Sequence, residues 1–141
     1  MIENQLALVC MFEYMIGNTD WDVAMMRNVR LLRSSETDKI LAVPYDFDFS
    51  GFVSAPYASP SSESGVKSVR DRYLMSDGVD GNSLKTAVNT LKEKEKELYQ
   101  LCRSKHLNGE VENTLIRFMG LYFDTMRGKE EPPKTMNFKE N

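Results

Sequence analysis

Histidine and cysteine are nearly absent from this chain. It holds one His, His106, and two Cys, Cys10 and Cys102, among 141 residues. A structural zinc site usually draws on several such ligands at close spacing, so a zinc site is not expected. The cysteines show no CxxC spacing and sit in apolar, helix-like contexts, which predicts buried free thiols and no disulfide. No GxSxG stretch occurs, and one His far in sequence from either Cys excludes the usual nucleophile–base pairs. A basic excess is also missing. Lys and Arg number 18 against 21 Asp and Glu, for a net charge of −3, which argues against nucleic acid as a partner. No run approaches the roughly 18 apolar residues of a membrane span. The opening MIENQLALVCMFEYM has no basic leader region and no small-residue cleavage site, so a cytoplasmic protein without a membrane partner is expected.

What remains is an ordinary globular composition, 41% hydrophobic and 28% charged. The expectation is one domain over residues 1–128 and a flexible tail over 129–141, where Pro132-Pro133 follows Gly128. Leu6, Val9, Cys10, Phe12, Met15 and Ile16 fall on one broad helical face, predicting a largely buried helix over 3–16. Gly17-Asn18 stops it, because both residues tolerate a left-handed backbone. Residues 19–27 read as a loop with one helical turn, capped by Asp20 or Asp22. Residues 28–33 and 39–45 are two apolar runs around a short polar turn, the mark of a β-hairpin. Residues 49–65 form a long Ser/Pro/Gly loop, and 66–75 are ambiguous. A helix over 84–106, capped by Asn82 or Ser83 and ending at His106, carries the solvated run KEKEKE. After Asn108-Gly109 a last helix spans 110–127. The fold class is therefore mainly α (α+β), with one small hairpin.

The chemistry gathers at the hairpin. A turn centred near residues 36 and 37 puts Asn28 opposite Tyr45 or Asp46, and directly opposed Cβ atoms lie roughly 4.5–5.5 Å apart. Asp48 lies two positions beyond Asp46 and shares its face if the strand continues. Asp20 sits on the loop that feeds Asn28. Hard divalent cations take oxygen ligands, and Mg²⁺ is held by one or two carboxylates plus substrate phosphates. Two Asp interleaved with Phe47 and Phe49 also need a cation, an Arg or backbone donors nearby if they are buried. Arg70 and Arg72, in SVRDRY, could pair with phosphate, with the Asp cluster or with structural carboxylates. Trp21 reads as a core or rim aromatic.

The order Asp20, Asn28, hairpin, Asp46 follows the protein-kinase pattern of catalytic Asp, metal-binding Asn and metal-binding Asp. YMIGNTDWDVAMMRN followed by ILAVPYDFDFSG resembles the active-site half of HipA-type and spore-coat CotH-type kinases, and a group of uncharacterised bacterial proteins with GNTDW and PYDFD-like segments. The resemblance covers about residues 5–60. It implies a helical kinase-like C-terminal lobe, with Asp20 as the catalytic residue and Asn28, Asp46 and Asp48 as metal ligands. Asn18, Arg70 and Arg72 are assigned to cofactor binding, with Mg²⁺ or Mn²⁺ and ATP as the cofactors. Two details differ from the kinase loop: Asp20 and Asn28 are eight residues apart, and Arg27 precedes the Asn. Nothing before Gly17 supplies a Gly-rich phosphate loop or a phosphate-pairing Lys. The expectation is a metal- and phosphate-binding lobe that is incomplete or degenerate as a phosphotransferase and lacks an N-terminal lobe. The alternative is a non-catalytic module that self-associates, for instance as a homodimer. A metal-dependent phosphohydrolase using the same Asp set is a third reading.

Overall fold

The helix that the rest of the chain wraps is apolar on nearly every side. In the computed structural model, which describes residues 3–128, it is α1, Glu3–Ile16. Ala7, Val9, Cys10, Met11, Tyr14, Met15 and Ile16 are all buried. A helix with apolar residues around most of its circumference must be covered around most of it. The elements that follow in chain order are the hairpin strands β1 (Val29–Arg33) and β2 (Ile40–Pro44), then α2 (Gly81–Glu93), α3 (Glu95–Leu101) and α4 (Gly109–Met126), of which β2, α2 and α4 pack on α1. A short 3₁₀ turn, Ser62–Ser64, lies in the long loop. The described residues thus form four α-helices and one two-stranded antiparallel hairpin. The 129–141 tail expected from the sequence lies outside the described residues. Among those residues no helix is long and apolar enough to cross a membrane.

Gly17 ends α1 with φ +68°. Its N–H bonds to the Tyr14 carbonyl and the Asn18 N–H to the Glu13 carbonyl at 2.8 Å, the paired bonds of a Schellman cap. The next orphan carbonyls of the helix are taken by distant chain. Gly51 and Phe52 donate their N–H groups to the Gly17 and Ile16 oxygens at 3.0 and 2.9 Å. Arg72 donates Nε to the Met15 oxygen at 3.0 Å and Nη2 to the Phe118 oxygen of α4 at 2.6 Å. Gly51 has to be glycine here, since a Cβ would lie 2.1 Å from the Val69 oxygen.

The hairpin register pairs Val29 with Pro44 and Arg33 with Ile40. It closes with the Tyr45 N–H on the Asn28 oxygen at 3.0 Å, so Asn28 stands opposite Tyr45. The free edge of β2 is blocked from α1. The Gln5 side chain donates to the Ala42 oxygen at 2.6 Å and accepts from the Ala42 N–H at 3.0 Å, like a strand one residue long.

The helix expected over 84–106 is two helices. The Asp80 carboxylate caps α2 by accepting from the Ser83 N–H at 2.9 Å, a role the sequence reading gave to Asn82 or Ser83. Lys94 then leaves helical geometry at φ −93°, ψ 2°. The stripe Leu84, Ala87, Val88, Leu91 is buried with the α1 core, whereas Tyr99 of α3 packs on Phe123 of α4, ring centres 5.8 Å apart. One straight helix cannot serve both partners, and the polar KEKEKE stretch bends without losing buried area. His106 accordingly lies in the α3–α4 connection and not at a helix end. Asn108 caps α4, accepting from the Val111 N–H at 2.9 Å. Cys10 and Cys102 are buried free thiols, and burial pushes the Cys10 thiol up to about 12.

Candidate phosphate and cation site

The site grows from the capped end of α1. Asn18, fully buried, donates Nδ2 to Glu13 Oε2 at 2.9 Å and accepts the Asp20 N–H on Oδ1 at 3.0 Å. Thr19 Oγ1 accepts the Ser61 N–H at 2.8 Å, pinning the long loop beside the same segment. Asp20 therefore leaves a fixed backbone. The chain then makes a closed excursion. Asp22 and Arg27 exchange two backbone hydrogen bonds of 2.9 Å, with the exposed Met25 and Met26 at the tip. This bridge brings Asn28 back against Asp20 across their eight-residue separation. Asn28 Nδ2 donates to the Asp20 backbone oxygen at 2.7 Å and to its Oδ2 at 3.0 Å. Arg27 Nε lies 3.5 Å from the other carboxylate oxygen, an ion pair without hydrogen-bond alignment.

The second half of the site follows β2. Phe47 packs edge-on against Phe12 of α1, ring centres 5.5 Å apart, and Ser50 is buried. Those anchors leave Asp46 exposed and Asp48 half-buried. Asp46 holds φ at 60° and Asn28 at 51°, two left-handed residues one cross-strand step apart. Asn and Asp tolerate that region better than other side chains, and such backbone collects at ligand sites. The Asp46 carboxyl is raised above its ordinary range, first by the charge of Asp48 and a hydrogen bond to it, then by slight burial and the charge of Asp20. Tyr57 OH donates to Asp48 Oδ2 at 3.1 Å. Asp46 thus feels the charges of both Asp48 and Asp20 at the hairpin mouth, and Arg27 lies beside Asp20.

Asp20 and Asn28 are in direct contact, and the charge of Asp48 bears on Asp46. Asn18, Arg70 and Arg72, expected to meet a cofactor, are placed elsewhere. Asn18 is spent inside on Glu13 and Asp20. Arg70 donates to the Gly51 oxygen at 3.2 Å and lies 4.6 Å from the Phe118 ring centre. Arg72 lies 3.9 Å from the same centre, and burial lowers its guanidinium to about 10. Both arginines close the end of α1, where apolar rings and unpaired carbonyls suit a planar cation with several donors. Trp21 is a core residue.

Sequence reasoning passed over Glu13, Thr19 and Tyr57. Glu13 had a signal: it is the acid on the apolar face of α1, three residues after Cys10 and three before Ile16. It is fully buried, its Oε1 has no partner, and burial raises its carboxyl to about 7, against which the Asn18 hydrogen bond pulls down.

Among the described residues no three His, Cys, Asp or Glu side chains come close enough to hold a metal ion by themselves. The oxygen set present is two close carboxylates, Asp46 and Asp48, with the Asp20–Asn28 pair beside them. That is the donor chemistry of a hard cation whose remaining ligands come from phosphate and water. A cleft of about 590 Å³ between α3 and α4 is lined by none of these residues. No protein-family model, curated protein or solved structure matches the chain.

Proposed function

We propose that Asp20, Asn28, Asp46 and Asp48 form a Mg²⁺- or Mn²⁺-dependent phosphate site of a kinase-like phosphotransfer lobe, whose remaining nucleotide contacts come from a further lobe. The observation that carries this reading is the Asp46–Asp48 pair. The charge of Asp48 lies close enough to raise the Asp46 carboxyl, and such a pair lowers its energy by sharing a proton or by taking up a cation. When bound, a divalent cation would draw phosphate oxygens to Asp46 and Asp48 and offset charge building on a transferred group. Asp20 is held for a different task. Asn28 fixes one carboxylate oxygen and Arg27 attracts the other, while Asn18 holds its backbone, so the carboxylate is set to orient a hydroxyl or accept its proton.

The second reading, a self-associating module without catalysis, rests on the outer face of the hairpin. Register places Leu32, Val43 and Tyr45 on one side, all substantially exposed.

Thermal unfolding separates the two. In wild type, Mn²⁺ with ATP at a hundredfold excess over its dissociation constant should add roughly 2.7 kcal/mol. In Asp46→Asn, chosen because Asn tolerates the left-handed backbone, the gain should shrink to a small fraction. A chain whose stability ignores Mn²⁺ and ATP, and which elutes as a dimer with or without them, would overturn the phosphate reading in favour of the second.

A further inference from the structure

A separate cleft is lined in part by the residues that follow Asp20. Its volume is about 370 Å³, within the small-molecule range, and it is built from three parts of the chain. Leu6 and Cys10, one turn apart on α1, form one wall. Trp21 and Asp22 come from the segment after the helix, and Met75 and Asp77 from the segment before α2. Cys10 and Trp21 are buried, Leu6, Asp22 and Met75 are partly covered, and Asp77 is exposed. The cleft therefore has an apolar, aromatic floor and a rim with two carboxylates.

The charges are one-sided. Among the described residues no Lys or Arg lines the cleft. One Asp22 oxygen accepts the Met25 N–H at 2.8 Å, and Arg27 meets Asp22 only through its backbone, its guanidinium lying on Asp20. Asp77 takes part in no side-chain hydrogen bond or ion pair among the described residues. Its charge nonetheless reaches the floor, where it helps raise the Cys10 thiol. An anion would meet two carboxylates here, and a neutral apolar molecule would leave the rim unused. An ammonium head at the rim with a small apolar body on Leu6, Met75 and Trp21 satisfies both, and a cation is further attracted to an indole face.

We propose that this cleft binds a small organic ammonium ion, its charge held between Asp22 and Asp77 and its apolar body on Leu6, Trp21 and Met75. The inference stands apart from the phosphate site, since it uses neither Asp46 nor Asp48 and its test contains no metal or nucleotide.

Trp21 is the only Trp in the chain, so its emission reports directly on the cleft. The experiment titrates the full chain, at pH 7 in low-salt phosphate buffer, with phenethylammonium, and in parallel with 2-phenylethanol and 3-phenylpropionate. The expected result is a saturable change with phenethylammonium, about tenfold weaker binding of the alcohol, the size of one lost ion contact, and no saturable change with the acid. Asp77→Asn, at an exposed position, should weaken amine binding about fivefold while leaving the far-ultraviolet circular dichroism unchanged. The indole N–H cross-peak of Trp21, followed by ¹⁵N NMR over the same titration, gives a second readout that does not depend on the variant. No saturable response to the amine by either readout overturns the proposal. Equal affinity for amine and alcohol reduces the cleft to apolar adherence and overturns it as well, as does an Asp77→Asn variant that binds the amine unchanged.

Discussion

A single carboxyl at position 13 ties the core to the candidate site. Glu13 is fully buried and its carboxyl is raised from 4.5 to about 7, chiefly by burial. Its folded-state value lies above the unfolded one, so the folded chain holds the proton more tightly. The resulting stability is complete below about pH 4.5 and is lost as pH rises through 7. Across that window it amounts to something on the order of 3 kcal/mol. Glu13→Gln keeps an oxygen for the Asn18 amide and removes the titration. The melting temperature of wild type relative to Glu13→Gln should therefore fall by several degrees between pH 4.5 and 7.5. Parallel melting curves over that range would show that Glu13 titrates as an ordinary carboxylate. The same residue explains why Asn18 is unavailable to a ligand: its donor is committed to a buried acid and its acceptor to the Asp20 backbone.

At the scale of the element, a two-stranded sheet has two open edges and little stability by itself. Here the β2 edge is closed by a side chain. Gln5 presents both a donor and an acceptor to Ala42, which is buried, and Pro44 has no N–H to offer at the next edge position. Gln5→Ala would leave two buried backbone groups unsatisfied and should cost about 2 kcal/mol in urea unfolding. Amide hydrogen exchange at Ala42 should accelerate while exchange in α4 follows only the global loss. Unchanged exchange at Ala42 would mean that the Gln5 contact is dispensable. Gln5→Glu supplies no donor and should not rescue. The α2–α3 bend belongs to this scale too, since each piece follows the apolar residues that its own neighbour can cover.

Over the whole molecule, Arg72 joins parts that are far apart in sequence. Its guanidinium bonds to the Met15 oxygen of α1 and the Phe118 oxygen of α4, and lies on the Phe118 ring. Arg72→Met keeps much of the apolar stem but strands both carbonyls. It should lower the urea midpoint by an amount equal to about 3 kcal/mol, with the denaturant slope unchanged. Arg72→Lys should recover only part, because an ammonium cannot lie flat on the ring while reaching two carbonyls. Full recovery by Lys would show that charge alone suffices. Arg72 on the Met15 oxygen, together with Gly51 and Phe52 on the Gly17 and Ile16 oxygens, holds the last turn of α1, from which Asn18 and Asp20 depart.

The sequence by itself determined the local features. Gly17 stops α1, the polar turn limits the partner of Asn28 to Tyr45 or Asp46, of which the fold takes Tyr45, Asn108-Gly109 breaks the chain before α4, and the two thiols lie in apolar surroundings. Each follows from short-range rules of periodicity and turn chemistry, which a few neighbouring residues contain. The chain order of Asp20, Asn28, Asp46 and Asp48 was equally legible, and the structure brings Asn28 onto Asp20 at the end of the hairpin where Asp46 follows β2. Tertiary structure alone decided where the long side chains go. Arg70 and Arg72 turn to Phe118 and the end of α1, Gln5 to the β2 edge, and Glu13 into the core. The helix over 84–106 divides because its two halves meet different partners. These outcomes depend on which carbonyls and rings arrive from segments 19 to 57 residues away, and no local pattern encodes them.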